Sequence, residues 1–205
     1  MTDTDFLKHT LGNGIRLIHK PTDSPVGHLG ILINTGSRDE EDDEHGLAHF
    51  IEHSVFKGTK KRKAFHILSR IEDGGGELNA YTTKEETALY ATFLFDFYDR
   101  TAELISDILF NSIYPEKELQ REKEVIYEEI NSYKDSPSEL IFDDFEEMVF
   151  HGHPIARNIL GTRKNLMHFN REAIFRFIEN NYHTNQMVIG SVGKINFRQL
   201  IKLAE

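Results

Sequence analysis

Apolar and polar residues follow one another along the chain with two different periods, which predict strands in some segments and helices in others. Short apolar or alternating runs bounded by turn residues predict strands over 15–19 and 29–34, a strand pair within 78–95, and a last strand over 187–192. Longer segments rich in helix-forming residues predict helices over 63–72, 97–111, 116–134, 137–149 and 170–181, and a last one beginning at Asn196. Because no repeat or linker separates these elements, we expect a single α+β domain over residues 1–205. Several helices should cover its mixed or antiparallel sheet.

A further predicted helix carries two histidines and a glutamate on one side. His49 and His53 are four residues apart and therefore stack on consecutive turns, and Glu52 lies on the same side. The opposite, apolar side is formed by Leu47, Ile51 and Val55. Acidic residues over 39–44 run into the start of this helix, where the helix dipole favours negative charge. Two imidazoles so placed can bind a divalent metal ion, and the carboxylate can act on its water.

A catalytic zinc site needs a third protein ligand, which must come from elsewhere in the chain. The helical segment 118–134 contains four glutamates, and a rotation of about 100° per residue separates them. Glu122 and Glu129 fall within the apolar stripe, whereas Glu124 and Glu128 point away from it. The stripe itself consists of Leu119, Val125, Ile126, Ile130 and Tyr133. A buried carboxylate is costly unless it pairs with a cation or binds a metal, and the residues alone leave both explanations open.

Other histidines offer alternative ligand pairs. His45 also lies four residues before His49, but in that pairing no carboxylate is placed as well as Glu52 is between His49 and His53. His151 and His153 flank a glycine just before a proline, a pattern that favours a solvated turn over a ligand pair.

The spacing of these residues resembles a known family. His49-x-x-Glu52-His53, followed by Glu129 within segment 122–129, resembles the inverted-motif zinc peptidases, the family of pitrilysin, insulin-degrading enzyme and mitochondrial processing peptidase. Segments 49–59, 75–82, 160–162 and 182–193 resemble further family landmarks in the right order. The resemblance therefore covers essentially the whole chain.

The resemblance implies a role for each candidate residue. His49, His53 and Glu129 would be the ligands of Zn²⁺, and Glu52 would be the general base. Glu122 would be an acid that supports the catalytic site. Asn79 and Ala80 would lie on an exposed strand edge that binds the peptide substrate main chain to main chain. These two residues are therefore the expected substrate-binding positions.

The resemblance also implies an architecture in which this chain is one half of a clam-shell peptidase. We expect the N-terminal, zinc-binding half of a longer enzyme, whose second homologous half lies in the same chain or in a partner subunit. The expected activity is endopeptidase cleavage of peptides or small unfolded proteins. The alternatives are a non-catalytic scaffold subunit of the same family and a metal-independent interaction domain. A homo-oligomer is compatible with either family role.

Composition limits the partners and the location. The net charge of −10 argues against a nucleic-acid partner and mildly favours basic peptides. The chain has no cysteine, so any metal must rest on histidines and carboxylates. No apolar run approaches a membrane span, and residues 1–6 lack the basic and apolar regions of a signal peptide. We therefore expect a cytoplasmic protein with no membrane partner.

Overall fold

A computed structural model describes residues 6–205. Residues 1–5, on which most of the expectation about a signal peptide rests, lie outside the described residues. The strands are β1 (Leu7–Thr10), β2 (Arg16–Pro21), β3 (Val26–Ile33), β4 (Glu77–Thr82), β5 (Thr87–Leu94) and β6 (Met187–Gly193). The helices are α1 (Leu47–Ser54), α2 (Ala64–Glu72), α3 (Tyr98–Asn111), α4 (Glu116–Lys134), α5 (Pro137–Val149), α6 (Arg163–His168), α7 (Arg171–Asn181) and α8 (Phe197–Ala204).

The strands form one mixed sheet in the order β1-β2-β6-β3-β5-β4. Strands β2 and β6 pair in parallel, and the other neighbours pair antiparallel. Strand β6 comes late in the sequence but lies between β2 and β3, so the sheet is complete only when residues 187–193 are in place. The predicted α+β class with a mixed sheet is confirmed.

One face of the sheet packs under helices. In β3, Leu29, Ile31 and Ile33 are buried, as the period of two along a strand requires. These side chains belong to a core that also contains residues of α2, α3 and α8. The other face carries exposed side chains such as His28 and Tyr90. The helical cover therefore lies on one side of the sheet.

A second core holds α1 against α4. Phe50 and Ile51 of α1 are buried together with Leu119, Ile126 and Ile130 of α4. Residues of α6 and α7 complete this core. Burial of each large apolar side chain contributes about 1.5–3 kcal/mol, so this packing fixes the two helices against each other.

The structure departs from the sequence predictions at Val125 and at helix α6. Val125 was placed in the buried stripe of α4 but is 49% exposed, because the stripe is rotated towards Lys123, which is buried. The short helix α6 was not predicted, although Thr162 caps it by accepting a hydrogen bond from the Asn165 backbone N–H. Over residues 6–205, no helix has both the length and the apolar content needed to cross a bilayer. The cytoplasmic location stays a prediction.

Candidate metal centre

The start of α1 is fixed by a buried carboxylate. Glu40 is 3% exposed and accepts hydrogen bonds from the backbone N–H groups of Gly46 (2.9 Å) and Ala48 (2.8 Å). Gly46 has a left-handed backbone (φ 99°), which glycine adopts without strain, and its Cα packs against Gly161. Of the acidic residues that run into the helix, Glu40 is the one that accepts these hydrogen bonds, and burial raises its pKa to about 8 although the two backbone N–H groups act to lower it.

The alternative histidine arrangements are not part of the centre. The helix begins after Gly46, so His45 does not share its face, and the His45 Nε2 atom lies 2.7 Å from the Asn158 carbonyl oxygen. His151 and His153 are exposed, and His153 Nδ1 accepts a hydrogen bond from the Ile155 backbone N–H. The predicted turn at these residues is confirmed.

Three predicted side chains converge between α1 and α4. His49 Nε2 lies 3.7 Å from Glu129 Oε1, and His53 Nε2 lies 3.5 Å from Glu129 Oε2. The two imidazole rings are 4.6 Å apart between centroids. One nitrogen or oxygen from each residue lies within 4.8 Å of the others, so the three form a group able to hold a metal ion.

Two of the distances within this group are close to those expected around zinc. Ligand atoms at about 2.0–2.1 Å from a tetrahedral zinc ion are about 3.3 Å apart, close to the two distances between Glu129 and the imidazoles. Within the described part of the chain, Glu129 Oε2 is buried and accepts no hydrogen bond. A buried carboxylate oxygen without a donor is costly, and a cation between it and the imidazoles would satisfy it.

The protonation states also suit a cation. Burial, with the neighbouring His53 as a smaller cause, lowers the pKa of His49 to about 3, so that imidazole is neutral and free to act as a ligand. Burial raises the pKa of Glu129, the charge of Glu52 acts in the same direction, and His53 opposes them. A divalent ion would favour the ionised Glu129 that these surroundings otherwise disfavour.

Glu122 lies behind His53, on the side away from Glu129. Its Oε2 atom is 3.5 Å from His53 Nδ1, and its Oε1 atom is 2.7 Å from Lys57 Nζ. Pairing with a cation accounts for Glu122, whereas metal binding is the explanation that stays open for Glu129. Glu122 pairs with a lysine, whereas Glu129 faces only the imidazoles among these groups.

Glu52 opens onto a cleft of about 480 Å³ that is also lined by His49 and Glu129. Tyr81 and Thr82 of β4 form part of its wall. The lining is completed by Ser132, Tyr133, Glu139, Asp143, Asn158, Ile159 and Leu160. Glu52, two of the three candidate metal ligands and the end of β4 thus border one open cleft.

The predicted substrate-binding residues lie further along the same strand. Strand β4 is an edge of the sheet, with Asn79 exposed and Ala80 half-buried. Neither residue lines the cleft, which reaches β4 at Tyr81 and Thr82. The roles of Asn79 and Ala80 stay predictions.

Sequence reasoning missed three residues of this region. No local pattern indicates Lys57, because its partner, Glu122, is distant in the sequence. Glu139 and Asp143 of α5 line the cleft, but their helical pattern gave no indication of which side faces the metal group. Only the packing of α5 beside α4 could show this.

Comparison with known proteins agrees with the geometry. A family model described as insulinase, peptidase family M16, matches residues 16–163. The chain is 37% identical over 194 residues to the beta subunit of mitochondrial-processing peptidase from Dictyostelium discoideum, covering 94% of this chain and 41% of the relative. It is 35% identical over 191 residues to an uncharacterised zinc protease from Bacillus subtilis, covering 92% and 46%. The chain thus spans less than half the length of these relatives.

Solved structures share the fold. A protease from Helicobacter pylori superposes with a TM-score of 0.91 at 26% identity, over 97% of this chain and 48% of that protein. A domain from Pseudomonas fluorescens, described as an inactive peptidase M16 domain, superposes with a TM-score of 0.90 at 17% identity, over 97% and 49%. The fold therefore occurs in a protease and in an inactive domain, and the side chains of the site must distinguish the two.

Proposed function

Because the chain belongs to the insulinase family of peptidases (peptidase family M16), we propose that it is the metal-bearing half of a zinc-dependent endopeptidase. Its substrates would be peptides or small unfolded proteins. The observation that carries this proposal is the convergence of His49, His53 and Glu129 beside Glu52, at the wall of an open cleft. The zinc protease from Bacillus subtilis supports the choice of metal.

His49, His53 and Glu129 would hold the zinc ion through two neutral imidazoles and one carboxylate. When bound, zinc would lower the pKa of a water molecule to near neutrality and polarise the carbonyl group of the scissile peptide bond. Three protein ligands leave one position open for that chemistry, as in other catalytic zinc sites.

Glu52 would act as the general base. It follows His49 by three residues on the same side of α1, and it lines the cleft next to Glu129. From this place its carboxylate would take a proton from the attacking water and pass it to the leaving amine.

Glu122 would act as a positioning residue for His53. A carboxylate facing Nδ1 favours the tautomer that carries its proton there, which leaves Nε2 free to face Glu129 and a metal ion. Lys57 would hold the Glu122 carboxylate in place through their contact.

The substrate would bind in extended form along β4, with its main chain beside Asn79 and Ala80. Glu139 and Asp143 add negative charge to the cleft wall. Together with the net charge of −10, these acids favour peptides with basic residues near the cleaved bond.

The competing function is that of a non-catalytic scaffold subunit. A scaffold needs neither a paired set of imidazoles nor an inward carboxylate, and the described site has both. A metal-independent interaction domain would need none of these groups. The intact set of His49, Glu52, His53 and Glu129 therefore favours the enzyme.

Bound-metal analysis of the wild type and of Glu52→Gln separates these functions. The peptidase predicts about one zinc ion per chain in both proteins. When the second half of the enzyme is supplied, it also predicts hydrolysis of a basic fluorogenic peptide that is lost in Glu52→Gln. Glu124→Gln, on the exposed side of α4, is the matched control and should keep full activity. Zinc without hydrolysis would favour the scaffold, and no stoichiometric zinc would favour the interaction domain.

A further inference from the structure

Helix α5 turns its apolar side outward. Five of its large side chains lie on one side of the helix and are between 54% and 80% exposed. These are Ile141, Phe142, Phe145, Met148 and Val149, and we call them the α5 outer stripe. In most surface helices such a stripe faces the core, so its outward orientation needs an explanation.

The polar side of α5 is the one that attaches the helix to the domain. Asp143 accepts hydrogen bonds from Tyr133 Oη (2.7 Å) and from the side-chain amide of Asn158. Lys84 Nζ pairs with Glu146 and lies 3.5 Å from Asp143. Turning the stripe inward would break all of these contacts, so the outward orientation is the one that the domain stabilises.

The stripe is large enough for a stable interface. With about 150–250 Å² per large side chain, it exposes on the order of 600 Å². The largest apolar patch of an ordinary monomer is about 300–600 Å² and is often functional, and a standard interface buries about 800 Å² per partner. The stripe alone would therefore supply most of one side of an interface.

Charges beside the stripe indicate the chemistry of the partner. Helix α5 carries five acidic residues and neither lysine nor arginine, and two of the acids, Asp144 and Glu147, are exposed to solvent. A second copy of this chain, itself with a net charge of −10, would bring five acids against five. Like charges at an interface cost several kcal/mol. The partner surface should therefore have an apolar centre with lysines or arginines at its rim.

We propose that the α5 outer stripe is the docking surface for the second half-domain of this enzyme, through a face of that chemistry. The inference rests on the proposed function, and it adds the location of the contact. The relatives are more than twice as long as the part that matches this chain, which leaves a length of chain sufficient for a second half-domain. Glu139 and Asp143 of the same helix line the cleft, so the docked half would border the metal group.

The test measures binding of this chain to the part of the Bacillus subtilis zinc protease that lies outside the match, by calorimetry at low salt. The variant Phe142→Ser/Met148→Ser changes two residues that are 71% and 80% exposed and should leave the fold intact. Its Kd should rise at least about 30-fold, because exposed apolar anchors carry most of such an interface. Phe65→Ser on α2, which is 75% exposed, is the matched control and should change Kd less than about twofold.

Oxidation provides a second measurement on the unmodified chain. Dilute peroxide should convert Met148 to its sulfoxide in the isolated chain and do so at least about fivefold more slowly in the presence of the half-domain. Met167, 60% exposed on α6, is the internal reference and should oxidise at an unchanged rate. Equal protection of both residues, or of neither, would overturn the inference.

Failure of the docking surface and failure of the proposed function give different results. Binding of the half-domain does not need zinc. If the chain binds no zinc, but Phe142→Ser/Met148→Ser still lowers its affinity for the half-domain, only the proposed enzyme function is refuted. A zinc-bound chain that does not bind the half-domain, or that binds it equally well with the stripe altered, would refute only the docking surface. Self-association that is lost in the variant would also overturn the inference, because it would identify a second copy as the partner.

Discussion

Replacing Glu122 by glutamine should weaken zinc binding while the fold remains intact. The substitution keeps the shape of the side chain but removes the charge that lies 3.5 Å from His53 Nδ1. Loss of a carboxylate behind a ligating histidine typically lowers metal affinity about 10–100-fold, which corresponds to about 1.4–2.7 kcal/mol. Lys57 loses its partner, but its side chain is 27% exposed and can reach water, so the cost in unfolding free energy should stay near 1 kcal/mol.

The assay is competition for zinc with a chelating dye at neutral pH, combined with thermal unfolding. Glu128→Gln is the matched control, since it removes the same charge from the exposed side of the same helix. Lys57→Gln separates the two contacts of Glu122, and it should change zinc affinity less than Glu122→Gln does. Zinc affinity in Glu122→Gln within about twofold of the Glu128→Gln value would refute the positioning of His53 by this carboxylate.

Three further perturbations test the support of the site and of the core. Glu40→Ala should destabilise the protein by about 1–3 kcal/mol and lower zinc affinity, because two backbone N–H groups at the start of α1 lose their acceptor. An unchanged urea unfolding curve would contradict this. Burial lowers the pKa of His19 below its ordinary 6.5, so the unfolded chain binds the proton first, and stability should fall as the pH drops below about 6.5. His19→Leu should make that fall shallower, and an identical pH dependence would contradict it. Gly161→Ala should lower the free energy of unfolding by about 1–3 kcal/mol more than Gly152→Ala does. Both glycines have φ above 70°, but only at Gly161 would a Cβ atom meet the backbone of His45. Equal melting temperatures of the two variants would contradict this.

Helical phase alone identified the relevant glutamates of α4. The sequence pattern separated Glu122 and Glu129 from Glu124 and Glu128, and the structure brings the first two to the histidines. The same pattern misplaced Val125, because periodicity gives the direction of a stripe only approximately and tertiary packing sets its centre. Glu129 consequently lies at the edge of the stripe, where it can reach both the imidazoles and the cleft.

Other features depend on contacts that local sequence cannot specify. A glycine at position 46 was a readable sign that His45 lies outside the helix, since its left-handed backbone interrupts the helical phase. The pairing of Lys57 with Glu122 joins segments far apart in the chain, and no local pattern indicates it. The predicted helix over 137–149 is present as α5, but its local sequence does not specify which side faces the domain, because polar contacts to Tyr133 and Lys84 attach one side and leave the apolar side outward.

The most direct test of the account is an anomalous diffraction measurement at the zinc edge on crystals of the chain grown with zinc. The account predicts one strong peak about 2.0–2.2 Å from His49 Nε2, from His53 Nε2 and from a carboxylate oxygen of Glu129. A zinc peak bound elsewhere, or an ordered site in which Glu129 turns away from both imidazoles and no peak is present, would contradict it.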